Sequence, residues 1–295
     1  MRKFAVTMSV MLLAVSLSGC GQERAIATTA MNDGLNELKG GATSSAVKKL
    51  EEAAAADLTY ADPHYYLGQI YQQKYEQFDD AERHFGKALE RDPENPQFHY
   101  RYGTVLAQLG RHSDAITEFQ SAVAKHEHFP KAWFRMGLSQ LALNKYTEGV
   151  SSLTQSIKQD ARMRIGKEDL GGAAYHTLGD LYLRFGFYDK ALQVYENGIL
   201  NNPDSAQLYR GQGFAQLKLG RAGDAVKSLE AALEKEPGKA TAYFNLALAQ
   251  REQKMYKEAL DNLTRFLSKA DPQTDTNRIA AAGGLRSEIM AELDK

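Results

Sequence analysis

Few side chains in this sequence are placed to do covalent or ligand chemistry. Of the seven histidines, only His126-x-His128 sets two close together. Without a carboxylate or further ligand at metal spacing they read as exposed turn histidines, not as a metal site. A nucleophile elbow, a phosphate-cradling glycine loop and a paired-carboxylate motif are all missing, and the acids are spread as a solvated face. The sequence therefore reads as non-catalytic, with no cofactor and no metal. The balance of 36 basic and 37 acidic residues, a net charge of −1, gives no reason to expect nucleic-acid binding. What remains is Cys20, the only cysteine. A lone thiol in an exported protein has no disulfide partner, whereas a lipid attachment point needs none.

Export is what the first residues indicate. Arg2 and Lys3 precede an apolar run from Phe4 to Leu17 and small residues before Cys20, the layout of a secretory signal peptide over 1–19. The run is too short and too abruptly ended for a lasting transmembrane helix. Leu17-Ser18-Gly19-Cys20 resembles a bacterial lipobox. That resemblance implies diacylation of the Cys20 sulfur and a further acyl chain, such as palmitate, on the new N-terminus. Several acyl chains anchor stably where one is marginal, because each buried methylene contributes about 0.8 kcal/mol. Gly21 stands where an aspartate would retain a proteobacterial lipoprotein at the inner membrane, so the resemblance implies the outer membrane, with the body in the periplasm. Residues 20–26 are expected as the lipidated cysteine and a short tether, which reaches about 20 Å if extended.

The stretch 172–205 reads as one helical hairpin. Tyr175, Leu178, Tyr182 and Leu183 recur at helical spacing, as do Tyr188, Ala191, Leu192, Tyr195 and Ile199. Gly186 and Asp189 mark the turn between these helices, and Pro203 stops the second. This pattern repeats. Small residues stand at Gly34, Gly68, Gly103, Gly137, Gly179, Gly213 and Ala247, spaced by 34, 35, 34, 42, 34 and 34 residues. Each is matched by Ala46, Ala81, Ala115, Gly149, Ala191, Ala225 or Ala259 in the second helix. Large residues follow at Leu50, Phe85, Phe119, Leu153, Tyr195, Leu229 and Leu263.

With Tyr-His-Thr-Leu-Gly at 175–179, Trp-Phe-Arg-Met-Gly at 133–137 and His-Tyr-Tyr-Leu-Gly at 64–68, the chain resembles the tetratricopeptide repeat (TPR) family. The resemblance implies an all-α fold, a right-handed superhelical solenoid of about seven helix-turn-helix hairpins. The repeats are placed at 27–60, 61–95, 96–129, 130–163, 172–205, 206–239 and 240–273, with a capping helix in 274–295. Because each hairpin buries its apolar face only against neighbours, one continuous array without an internal boundary is expected. The first repeat, with Asp33 at a leucine position and a loose Gly40-Gly41 turn, is the poorest match and is expected to fray. The second carries one extra residue, assigned to the turn from Tyr75 to Asp80. Trp133 is expected to pack. The insertion 164–171, near Arg162 and Arg164, reads either as a solvated loop or extended second helix, or as a partner-contacting flap. On the capping helix, Ile279, Leu285, Ile289, Met290 and Leu293 share a face.

In TPR arrays the first helix of each hairpin lines a concave groove. Carrying the family's inward-facing positions onto this sequence gives Tyr65, Gln69, Tyr100, Arg101, Lys131, Phe134, Arg135, His176, Arg210, Phe244 and Asn245, with Tyr66, Thr104, Leu138, Asp180, Phe214 and Leu248 beside them. Flat side chains with interleaved cations suit a peptide, the rings covering apolar groups and the cations meeting carboxylates. About half of the aromatics are expected to pack between hairpins instead. Lys131 and Arg135 match the third-repeat pair of a chaperone-type carboxylate clamp. Tyr65, Gln69 and Arg101 depart from it, which leaves a more general acidic-peptide site.

The layout is similar to that of outer-membrane TPR lipoproteins that act as pilotins for type IV pilus secretins. It implies a membrane-anchored scaffold that binds peptide segments of envelope proteins and assists assembly of a pilus or secretin. An adaptor that recruits peptidoglycan enzymes is the alternative. Composition does not choose between monomer and oligomer.

Overall fold

The computed structural model describes the backbone of residues 2–165 and 168–295, and the side chains of 21–164 and 168–295. The expected signal peptide and Cys20 lie outside the residues with described side chains. The chain forms two compact units, Met1–Gly149 and Val150–Lys295, where the sequence suggests one uninterrupted array. The division falls within the helix that precedes the insertion, where the 34-residue period breaks.

In the first unit α1 (Arg2–Lys39) pairs with α2 (Thr43–Ala56), α3 (Asp62–Ile70) with α4 (Phe78–Arg91), and α5 (Pro96–Gln108) with α6 (His112–Lys125); α7 (Pro130–Ala142) follows. The second unit takes in most of α8 (Tyr146–Gln159) and a two-stranded ladder of β1 (Arg164–Ile165) and β2 (Glu168–Asp169). Its hairpins are α9 (Leu170–Arg184) with α10 (Tyr188–Asn201), α11 (Ala206–Lys218) with α12 (Ala222–Lys235), and α13 (Ala240–Glu252) with α14 (Tyr256–Lys269). They are closed by α15 (Thr276–Leu293). The all-α fold class and its hairpins stand as expected.

The small positions do what their spacing implies. A Cβ on Gly68 or Gly103 would come within 2.9 Å of the Phe85 or Phe119 ring, and one on Gly213 within 2.6 Å of Leu229. On α3, α5 and α11 a glycine of the first helix thus admits a large residue of the second, and Phe85, Phe119 and Leu229 are fully buried. Each such burial contributes about 1.5–3 kcal/mol. A polar pair recurs beneath this layer in the second unit. Ser228 donates to Gln216 Oε1 at 2.8 Å, and Asn262 Nδ2 to Gln250 Oε1 at 2.8 Å, one repeat later.

Turns between paired helices share one closure, in which the residue after a left-handed position donates back across the helix end, as Phe187 N does to the Tyr182 carbonyl at 2.9 Å. The left-handed residue is Gly186 there, but Lys254, with φ 58°, between α13 and α14. A side chain in that region costs about 1–2 kcal/mol, partly offset by glycine's greater unfolded-state entropy. Lys254→Gly is expected to stabilise the chain by about 0.5–1 kcal/mol, read as a rise in the urea midpoint.

Four features differ from the sequence reading. Residues 21–26 continue α1 and are not an extended tether, and Arg24 bonds Asp57 and, at 3.0 Å, Thr59. The extra residue of the second repeat is absorbed as a π-helical turn, Tyr71–Tyr75, one turn before the expected loop. That placement buries Gln72, which bonds Gln108 at 2.7 Å. The insertion neither extends α8 nor forms a plain loop. Its ladder ends in Asp169, which caps α9 by accepting from Gly172 N at 2.7 Å. On α15 the buried face runs through Ala282, Leu285 and Ile289, while Met290 and Leu293 are exposed: Met290 is turned about 80° off that stripe, and Leu293 continues it but is the last residue of the helix. Among the described residues no helix is long and apolar enough to cross a membrane.

Candidate peptide-binding site

The site residues proposed from the sequence fall into two sets, one in each unit. In the second unit α9, α11 and α13, the first helices of three successive hairpins, bring His176, Arg210, Phe244 and Asn245 to a single cleft of about 500 Å³. Its apolar surface comes from Leu183, Phe214 and Leu248. The charges around it are Asp180, Arg210, Lys218 and Arg278. Phe244 is nine-tenths buried against Phe266, with ring centres 5.1 Å apart, so little of it reaches the cleft.

One wall is a hydrogen-bonded group. The Tyr195 hydroxyl donates to Asp180 Oδ1 at 2.6 Å, and His176 Nδ1 lies 3.5 Å from Asp180 Oδ2. Burial, and then the nearby Asp180 carboxylate, push the Tyr195 hydroxyl far up, so it remains a donor. Burial lowers His176 despite Asp180, which keeps the imidazole neutral at pH 7. Arg210 Nη1 stands 3.5 Å from Glu236, and Arg278 Nη1 2.9 Å from Asp275. Lys218 Nζ sits 5.3 Å above the Phe214 ring. This cleft can take an apolar side chain on Phe214 and Leu248 while Asp180 and Asn245 meet peptide N–H and C=O groups.

In the first unit the rings turn inward. Tyr100 and Phe134 are each 4% exposed, and Tyr100 packs at 5.2 Å on Phe129 and 6.1 Å on Phe119. They are core residues, not groove residues, because the face at this register of the first helix is covered by neighbouring helices. Tyr65 is half-buried on Phe98 and Phe85 at 5.0 and 6.0 Å. Gln69, Arg101, Lys131 and Arg135 stay partly exposed. Trp133 packs on the cluster of Tyr100, Phe119 and Phe129, as expected. His126 and His128 are exposed, and among the described residues no group of three metal-ligating side chains occurs.

Sequence reasoning missed Lys218, Thr241 and Arg278 as cleft residues. Arg278 belongs to α15, outside the repeat, so no periodicity points to it. A larger hollow of about 780 Å³ lies between α12 and α14, lined by Glu230, Glu234, Glu258 and Asp261, and gathers none of the expected residues.

Hairpins of about 34 residues, each closed by a second-helix side chain seated on a first-helix small residue, define a helical repeat protein that presents its first helices to a ligand. The chain belongs to the tetratricopeptide repeat family, whose models match residues 72–128, 176–225 and 212–274, and 131–161. It is similar to the Hsp70-Hsp90 organizing protein of Triticum aestivum, at 24% identity over 229 residues covering 68% of this chain and 39% of that protein. It spans about two fifths of the length of that relative and of TPR repeat-containing protein MJ1428 of Methanocaldococcus jannaschii, at 39% and 42%. Two of the solved structures that share the fold serve as examples. One is pilF of Pseudomonas aeruginosa, with a TM-score of 0.60, 18% identity, and coverage of 75% of this chain and 96% of that one. The other is YrrB, a TPR protein with an unusual peptide-binding site, with a TM-score of 0.54, 17% identity, and coverage of 67% and 96%. Proteins of this family act as protein–protein interaction scaffolds and bind partners through peptide segments.

Proposed function

We propose that this chain is a lipid-anchored, non-catalytic scaffold of the bacterial outer membrane, facing the periplasm, that holds peptide segments of envelope proteins during assembly of a pilus or secretin. The cleft of α9, α11 and α13 carries the binding half of this reading, since it joins an apolar floor to cations and hydrogen-bonding groups from three equivalent helix positions. Leu17-Ser18-Gly19-Cys20 and the following Gly21 support the anchor, and the layout similar to pilotin lipoproteins supports the assembly role.

The test is a photoreactive residue at Asn245, a cleft position that is not part of the core, with crosslinking in cells and mass spectrometry of the adducts. A discrete adduct with a secretin or pilus protein is expected. A peptidoglycan enzyme as the sole adduct would replace the assembly reading. Cys20→Ser is expected to move the chain from the outer-membrane to the soluble fraction and to abolish palmitate labelling; unchanged fractionation would remove the anchor from the proposal.

A further inference from the structure

Two arginines of the first unit meet no carboxylate among the described residues, and Arg101 has only the Tyr100 ring, at 5.8 Å, beside it. Six arginines have described side chains there. Arg24, Arg83, Arg91 and Arg111 each contact a carboxylate. Arg101 and Arg135 do not, although both are half-buried and the Nε of each is buried without a hydrogen-bond partner. They occupy the same register, Arg101 on α5 and Arg135 on α7, two residues before Gly103 and Gly137, and α7 packs beside α5. Neither helix contains an aspartate or glutamate, and Lys131 adds a third cation that pairs with no carboxylate among the described residues. A guanidinium stripped of part of its water and left without an anion favours a ligand that supplies one, and its fork matches a carboxylate bidentately.

We infer that Arg101 and Arg135 form a two-point grip for an internal acidic peptide segment, each guanidinium taking one side-chain carboxylate. This deepens the reading of the chain as a peptide-binding scaffold and rests on it. Neighbouring helix axes stand about 8–10 Å apart. A polyproline II strand returns to the same edge every three residues with a rise of about 9 Å, whereas a β-strand turns its third residue to the opposite face. The segment matched by the two guanidinia is therefore Asp/Glu-x-x-Asp/Glu in polyproline II conformation. Tyr66, at the equivalent register of α3, offers a ring in place of a third cation, so the stretch beyond the acidic pair meets a flat apolar surface.

The test titrates the full chain, in detergent, into peptides labelled with fluorescein on the N-terminus and amidated at the C-terminus, which removes the terminal carboxylate as a ligand. The core Ser-Asp-Pro-Pro-Asp-Ser is compared with versions bearing asparagine at one or both aspartates, and with aspartates one or six residues apart. The three-residue spacing is expected to bind at least five-fold tighter than the others, and each asparagine to cost about five-fold. Arg101→Gln or Arg135→Gln is expected to give the same loss and a shallower salt dependence, with the thermal melt unchanged. Arg101→Lys keeps the charge but not the fork and is expected to recover only part of the affinity. Arg286→Gln, an exposed charge on α15, is the matched control. Equal binding at all spacings, or unchanged binding by the glutamine variants, overturns the grip. An oligothymidylate that competes as well as the peptide overturns it in favour of a general polyanion surface. If the acidic peptide fails while the Asn245 crosslink still yields its adduct, only this inference falls; failure of both removes the scaffold reading as well.

Discussion

Acidification from pH 7 to pH 4 is expected to cost the chain several kcal/mol, most of it from one pair of buried imidazoles in the first unit. His64 on α3 and His84 on α4 are each 7% exposed, and their Nδ1 atoms lie 3.1 Å apart, which requires one to donate and the other to accept. The Tyr71 ring stacks on His84 at 5.3 Å. Burial lowers His64 to about 4, assisted by the Arg91 charge, then His84 and Lys87; burial lowers His84 to about 4, assisted by Arg83 and Lys87. In the unfolded chain both titrate near 6.5. The folded form therefore binds fewer protons between these values, so stability is intact above pH 6.5 and is lost as pH falls through about 4. Each shift corresponds to about 3 kcal/mol. His176, lowered by burial, adds to the loss in the same direction, whereas Asp57 and His99 titrate apart from this window or against it. Asp57, held down to about 2 by bonds from Thr59 and Arg24, releases its stability only below the carboxylate range. His99 is raised, because its bonds to Glu118 and the Pro93 carbonyl outweigh its burial, so it gains stability as pH falls. Urea titrations followed by the fluorescence of Trp133, the single tryptophan, are the measurement. His64→Leu with His84→Leu should flatten the profile between pH 6.5 and 4. An equally steep fall in that double variant would place the acid sensitivity elsewhere.

Alanine should exchange sign between two glycines of the second unit. In a helix Gly→Ala ordinarily stabilises by about 1 kcal/mol, and Gly283, with open space around it, is expected to behave so. Gly211 is expected to lose about 2 kcal/mol instead, because overpacking costs about 3 and outweighs the propensity gain. A Cβ there would come near 2.4 Å of two Tyr195 ring carbons. The ring has little room to retreat, since a Cβ on Gly179, of α9, would come within 2.5 Å of it as well. Tyr195 is fully buried in that slot and tethered at its tip to Asp180. Replacing Tyr195 with leucine, the residue at the corresponding Leu229 and Leu263, should return Gly211→Ala to a stabilising change. The coupling of about 2–3 kcal/mol is measurable as a double-mutant cycle of melting curves. Additive effects would show that the ring and Gly211 do not constrain each other.

The same packing explains how much was legible beforehand. Gly179 with Tyr195, and Gly68 with Phe85 one residue further on across the π-helical turn, are readable because a close approach demands a residue without a side chain at a near-constant offset from a bulky one. The cleft of the second unit is readable for His176, Arg210, Phe244 and Asn245, which sit at the repeat's inward positions, but not for Lys218 and Thr241 at other positions of the same helices or for Arg278, since α15 obeys no repeat. Tyr100 and Phe134 deceive for a geometric reason. They lie one residue, about 100° of helix, from Arg101 and Arg135, and composition does not say which of two adjacent positions a neighbouring helix covers. The His64–His84 contact joins residues twenty apart whose meaning is only their exclusion from water, a property no motif records. The π-helical turn at Tyr71–Tyr75 is a choice among several places where one extra residue could be taken up, and the burial of Gln72 beside Gln108 accompanies that choice.

The Gln216–Ser228 and Gln250–Asn262 pairs make two neighbouring hairpins nearly interchangeable at their inner joints, and near-copies in tandem invite a hairpin to dock on the wrong neighbour or on another molecule. The slot for Tyr195 works as a key against that error. The residue one repeat beyond Gly211 is Asn245, whose side chain would fill the slot, so 206–239 is expected to dock after 172–205 in preference to 240–273. Asn245→Gly should therefore blunt the order of assembly, producing exchanged dimers during refolding, at a cost to its own hairpin of only a few tenths of a kcal/mol in helix propensity.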